Sequence, residues 1–294
     1  RVDYIDVYHH IFLEFDEPVG ASDILRIKGP LDLDMIFPFS DNYLVTQSIQ
    51  ANQVSYDPKA TRRYAYISNW IGDGGPLPLT DFPSSAQLLK GSEDMLDPRQ
   101  MVVSDIQITS RMQDDSDTGA DVYEIDLYGD DGENMPHDED ATYYIKIPGV
   151  GVSWPTACSN QKLFESYYIA QRGLYHNRWG RDLQCQWTQW CTRPPDHNFV
   201  YTYENPNNNY DGASWFSKDD PTDEVRRRPL TGGHHDAGDW DIRGSHAIRI
   251  RNLIRAYEVN PLAFTDGQVN IPESGNGIPD ILDEALYSIK AWEQ

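Results

Sequence analysis

A chain of 294 residues is long enough for two domains of ordinary size, each with its own core. Its 47 acidic against 24 basic residues leave a net charge of −23, which repels phosphate backbones and anionic membrane surfaces and so disfavours nucleic acid and anionic lipid as partners. A neutral substrate such as a sugar carries no such penalty, and no run of 18 apolar residues suggests a membrane span.

The 18 Tyr, 8 Trp and 9 Phe supply cores and also the raw material for stacking on flat apolar faces of sugars. Three cysteines are too few for a disulfide-built miniature domain, and the odd number leaves at least one unpaired within the chain. The chain opens at Arg1 without a charged-then-apolar leader, which reads as a processed or trimmed product.

From residue 1 to about 149 the signal is alternation. Ile11, Leu13 and Phe15 alternate with polar neighbours or lie at period two, as do Leu25 and Ile27, then Tyr123, Ile125 and Leu127, then Tyr143, Ile145 and Ile147. Such runs, separated by Gly, Pro, Asp and Ser clusters, predict the strands of an antiparallel β-sandwich. Gly72-Asp-Gly-Gly-Pro76 marks a turn, and the acidic stretches 114–119 and 130–134 read as solvated turns, since neither has the full spacing of a calcium loop.

At Ile147-Pro-Gly-Val-Gly-Val-Ser-Trp-Pro155 the strand pattern closes and helical periodicity takes over. Residues 161–177 predict a helix with Phe164, Tyr167, Tyr168, Leu174 and Tyr175 near one stripe. A polar, irregular insertion spans 179–230, of the kind that is functional or covers a surface. Ser245 then reads as an N-cap for a helix carrying Ala247, Ile250, Ile254 and Tyr257, which Pro261 ends. A last helix begins at Pro279 and is expected to bury Leu282, Ala285, Leu286, Ile289 and Trp292. The class change predicts two domains, at 1–149 and 150–294. The helical part offers too little apolar surface for an independent core.

Between the insertion and the second of these helices lies Thr231-Gly-Gly-His-His-Asp-Ala-Gly-Asp-Trp240. Asp236 and Asp239 stand three residues apart, a spacing that shares one face when a segment turns into a helix. The small residues Ala237 and Gly238 between them leave room for a water. Two carboxylates serving hydrolysis divide the work, one taking a proton from water and the other orienting it. The plainer alternatives are a helix cap for one Asp and a turn or a bound cation for the other.

This stretch resembles the signature of the family 9 glycoside hydrolases, the inverting cellulases and related β-glucanases. Five further segments carry the same resemblance in order: Asn52-Gln-Val-Ser-Tyr-Asp-Pro58, Gly149-Val-Gly-Val-Ser-Trp-Pro155, Arg172-Gly-Leu-Tyr-His-Asn-Arg-Trp-Gly180, Arg193-Pro-Pro-Asp-His197, and Asn270-Ile-Pro-Glu-Ser-Gly-Asn-Gly-Ile-Pro-Asp-Ile-Leu-Asp-Glu-Ala285. The resemblance implies an immunoglobulin-like β-sandwich followed by the first helices of an (α/α)6 barrel. It implies Asp239 as catalytic base and Asp236 as the partner holding the nucleophilic water, in cleavage of β-1,4-linked glucan.

In the same reading His235, Trp240 and His234 are candidate substrate contacts, Trp240 with packing as its alternative and the histidine pair with a role in orienting Asp236. An inverting site also needs a general acid roughly 6.5–9.5 Å from the base. In the family that acid is a late glutamate, and none of Glu273, Glu284 and Glu293 matches it. The expectation is therefore a second polypeptide, or a segment outside this chain, that supplies the acid and completes the barrel.

No cofactor is required for the chemistry, with structural calcium or zinc left open. Relatives with this domain order often hold zinc by two cysteines and two histidines; here His197 and His235 fall on the histidine positions but Trp179 and Asp196 on those of the cysteines, which removes the thiolates that select zinc. Cys185 and Cys191 either substitute for them or pair with each other. The resemblance implies a secreted, periplasmic or cell-surface protein, and the rival to an enzyme is a non-catalytic carbohydrate-binding module. A calcium-dependent structural protein rests only on the acidic turns.

Overall fold

The computed structural model describes residues 10–30, 32–80, 82–92, 101–191, 193–196, 199–201, 227–229, 231–235, 245–291 and 293. It divides after Glu165 into two compact units. The first is built of strands: β1 (Ile24–Lys28), β2 (Asp34–Pro38), β3 (Ile49–Gln50), β4 (Tyr64–Ile67), β5 (Ser85–Gly91), β6 (Met101–Met112), β7 (Val122–Asp126), β8 (Asp138–Ile147), β9 (Gly151–Val152) and β10 (Thr156–Cys158).

Eight of these form one antiparallel sheet in the order β10-β8-β5-β6-β7-β4-β3, with β9 paired to β8. The long β6 is shared by two halves, and the register shifts at Leu88/Leu89 and Ser110/Met112 mark irregularities where it pairs with β5 and β7. Ile67 of β4 and Ile145 of β8 stand far apart in strand order yet belong to one buried cluster with Ile49, Leu88, Ile125 and Tyr143. Strands from both halves of the sheet therefore share one main core, the burial that a sandwich achieves with two sheets, while Leu89, Tyr144 and Val152 form a smaller second cluster.

Alternation placed β7 and β8 correctly. It did not place 11–15, which pairs with no strand among the described residues and whose Ile11 is 81% exposed. Among the described residues β1 pairs with β2 in a separate two-stranded sheet. β9 and β10 carry the sheet past the Pro- and Gly-rich strip at 147–155.

Two quoted segments now have physical roles. The Asn52 side chain accepts from Val54 N at 2.9 Å and donates to Ser55 O at 2.8 Å, folding the turn on itself. Ser55 Oγ donates to Ser159 O at 3.0 Å and accepts from Ser159 N at 2.9 Å, tying that turn to the residue before α1 (Asn160–His176).

The second unit holds the rest of α1, a short antiparallel pair β11 (Phe199–Tyr201) and β12 (Arg227–Pro229), then α2 (Ser245–Val259) and α3 (Asp280–Lys290). α2 and α3 pack through Leu253, Ile281 and Ala285, with Tyr167, Leu174, Ile250, Ile254 and Tyr257 partly buried around them. α2 ends before Pro261, as the missing N–H and fixed φ of proline require.

Between α2 and α3 the second quoted segment folds around carboxylates. Asp280 accepts from Gly267 N, Val269 N and Ser274 Oγ at 2.9, 2.6 and 3.1 Å, and Asp266 from Gly275 N and Gly277 N. The expected burial of α3 needs correction: Leu286 is 44% exposed, while Glu284 is 1% and Ser288 0% exposed. A helix facing a polar network buries its polar stripe. Trp292 lies outside the described residues.

Candidate active site

The segment 231–235 enters the site between two fixed walls. Gly233 N donates to Tyr287 O of α3 at 3.0 Å, and Gly233 O accepts from Trp179 N at 3.1 Å. His235 N donates to Asn177 O at 2.9 Å, while Asn177 Nδ2 donates to His235 O at 2.7 Å. The chain is thus bonded on both sides up to the residue before Asp236.

Both glycines are required there. Gly232 and Gly233 have φ of +87° and +92°, and an added Cβ would stand 2.7 Å from Tyr287 O at the first and 2.5 Å from Trp179 Cε2 at the second.

Beneath the segment lies a buried charge network. Arg178 is 0% exposed, and its Nε and Nη2 donate to the two oxygens of Glu284, both at 2.9 Å. Its Nη1 donates to Glu273 at 2.9 Å, which also pairs with Arg181 at 2.9 Å. Burial alone would lower the Arg178 pKa, but Glu284 and Glu273 raise it above its ordinary value. Burial alone would raise Glu284; the bonds from His234 and Arg178 outweigh that and hold it below the usual carboxylate range.

His234 completes the network. Its Nε2 lies 2.5 Å from Glu284 Oε1 and its Nδ1 2.7 Å from Ser288 Oγ. An ionised carboxylate only accepts, so Nε2 carries the proton and Nδ1 accepts from the serine hydroxyl. Burial pushes the His234 pKa down, against the pull of Glu284, and the ring is neutral.

With no exposed surface and both nitrogens engaged, His234 has no atom left for a sugar. Its expected place among the substrate contacts is corrected to one beneath the loop. His235 differs: its side chain keeps 13% of its surface, and Nε2 lies 3.1 Å from Asp196 Oδ2.

Among the described residues the donor set does not fit zinc. Cys185 and Cys191 are joined in a disulfide, and Cys158 is buried in the first unit. Trp179 stands edge-on to His235, with ring centroids 6.2 Å apart, and Asp196 bonds His235 directly. Without thiolates the soft ligands that select zinc are missing. In the acidic turn near 115, the Asp115 carboxylate accepts from Asp117 N and Thr118 N, serving its own loop.

Asp236, Asp239, Trp240 and His197 lie outside the described residues. Sequence reasoning placed the histidine pair and the glycines in this site but missed Arg178 and Ser288. A lone Arg after a helix and a Ser within one carry no signal until the chain brings them under His234.

The chain is 27% identical over 277 residues to a cellulose 1,4-beta-cellobiosidase of Acetivibrio thermocellus, covering 86% of this chain and 27% of that protein. It is 27% identical over 176 residues to endoglucanase D of the same organism, covering 60% of this chain and 25% of that one. A metagenome-derived glycoside hydrolase family 9 endoglucanase superposes with a TM-score of 0.58 at 26% identity, over 82% of this chain and 39% of its own. The chain is related to glycoside hydrolase family 9. No family model matches it. It spans between about a quarter and two fifths of the length of these three proteins.

Proposed function

We propose that the protein is an inverting glycoside hydrolase of family 9 that cleaves β-1,4-linked glucan, with this chain supplying the base half of its site. Asp239 removes a proton from the attacking water, and Asp236 holds that water in line. His235 and Trp240 contact the sugar. The general acid comes from a segment or second polypeptide outside this chain, which completes an (α/α)6 barrel begun by α1, α2 and α3. The first unit is an immunoglobulin-like support. The protein is secreted, periplasmic or held at the cell surface.

The observation that carries this reading is the clamping of 231–235 by Asn177, Trp179 and Tyr287 above the Arg178–Glu284–His234 network. A water-activating carboxylate must be held in place to be effective, and this segment leads covalently into Asp236. Glu284 and Glu273 are paired with arginines and kept ionised, a state unsuited to donating a proton to a leaving group.

The test is reducing-sugar release from soluble cellulose, mixed-linkage glucan, glucomannan and xyloglucan, with the intact protein and its Asp239→Asn variant. Release should fall by about 10²- to 10⁴-fold in the variant, the usual worth of a general base. Release that persists unchanged defeats Asp239 as base. Binding without release in either sample favours a carbohydrate-binding module instead.

A further inference from the structure

The disulfide between Cys185 and Cys191 closes a loop of sequence Cys-Gln-Trp-Thr-Gln-Trp-Cys. Together with α1 and Asn270 the loop borders a cavity of about 640 Å³, whose wall includes Ile169, Gly173, Gln186, Gln189 and Trp190. Trp190 is 63% exposed, yet its ring is set against His176 at a centroid distance of 5.0 Å. His176 in turn bonds Thr188 Oγ1 at 2.8 Å. The indole is therefore presented outward from a loop that the disulfide has already ordered, which lowers the entropic cost of binding.

The chemistry of the wall is specific. Among the described residues, its one permanently charged side chain is Arg172, which is buried and turned to internal use: Nη1 donates to Asn270 O at 2.7 Å and Nη2 to Trp187 O. Burial pushes the His176 pKa below its ordinary value, so its ring is neutral near pH 7. Apart from the internally bonded Arg172, the cavity is lined by neutral groups, indole, amide and hydroxyl among them, on a protein of net charge −23. An anion is repelled by the protein's overall field, and a cation finds no carboxylate on this wall. A flat neutral polyol fits, offering C–H faces to the indole and hydroxyls to the amides.

We propose that this cavity is a second, non-catalytic binding site for a neutral glycan chain, with Trp190 as stacking platform and Gln186, Gln189 and Asn270 as hydroxyl partners. Among the described residues, none of 231–235 belongs to its wall. The sugar class follows from the wall; naming the chain as β-1,4-glucan rests on the function proposed above.

Affinity electrophoresis of the intact protein through gels containing soluble cellulose, mannan or dextran tests it, using Asp239→Asn, Trp190→Ala and Gly173→Leu. Trp190 is exposed, and a Cβ at Gly173 meets nothing within 4 Å, so a Leu there enters the cavity side without a clash at its Cβ. Retention on the cellulose gel should survive Asp239→Asn and weaken about tenfold in each of the other two variants. Equal retention of Trp190→Ala and Gly173→Leu overturns the site and leaves the assignment of Asp239 standing. Trp190-dependent retention by mannan or dextran alone keeps the site and removes the β-1,4-glucan reading. No retention on any gel overturns the site, while sugar release judges Asp239 separately.

Discussion

Arg178 brings a full charge to a place without solvent, and its surroundings are organised to neutralise it. Glu284 takes two of its donors, Glu273 a third, and the Tyr287 ring lies 4.2 Å below the guanidinium. Removing one member of a buried pair leaves an uncompensated charge, which costs about 3–5 kcal/mol. Arg178→Met should therefore lower the unfolding free energy by about that amount in urea titration. A loss below about 1 kcal/mol would mean that water reaches Glu284.

His234 adds a pH dependence of definite sign. Its folded pKa is depressed by burial, so on acidification the unfolded chain takes up a proton near pH 6.5 that the folded chain refuses. Stability is full above that pH and is lost as pH falls toward the folded value, with a slope of at most about 1.4 kcal/mol per pH unit. Glu284, also depressed, adds its own loss only below the ordinary glutamate range. Between pH 6.5 and 5 the slope should flatten in His234→Gln. Identical slopes for the two proteins would assign the proton uptake elsewhere.

At the scale of elements, α1 begins with a built cap. Ser159 Oγ accepts from Lys162 N at 3.1 Å and donates to Glu139 Oε2 at 2.6 Å, and the same carboxylate oxygen accepts from Gln161 N at 2.9 Å. These bonds satisfy two of the helix's first free N–H groups and hold Glu139 below the usual carboxylate range. Ser159→Ala should cost about 1 kcal/mol, measured by thermal or urea unfolding. An unchanged midpoint would show that Glu139 caps the helix unaided. The cap was not legible beforehand, because Glu139 lies on β8 and no local pattern links it to residue 159. α3 shows the opposite case: its start after Pro279 was legible, but its buried face was not, since apolar periodicity cannot anticipate Glu284 and Ser288 buried against an arginine and a histidine.

At the scale of the whole molecule, the second unit exposes large apolar side chains: Ile248 at 54%, Val259 at 79%, Leu262 at 94% and Leu286 at 44%. The proposed completion of the barrel would cover such groups, and burial stabilises at roughly 25 cal/mol per Å² of apolar surface. This chain expressed by itself should bind a hydrophobic dye and associate with rising concentration, and lose both properties when the completing polypeptide is added. A compact monomer with one cooperative melt and no dye binding would end the idea of a missing partner.

The sequence by itself determined what local chemistry can write. Alternation marked β7 and β8, proline ended α2, and ordered short segments pointed to family 9. The paired glycines marked a tight approach at 232–233, and the odd cysteine left one thiol unpaired. Tertiary structure alone decided which polar groups share one space. It drew Arg178, His234, Glu284 and Ser288 together from three separated parts of the chain, withdrew His234 from the sugar, joined Cys185 to Cys191, and set Trp190 facing a neutral cavity. Side-chain periodicity reports which face is apolar; only folding reports which distant group pairs with a buried charge.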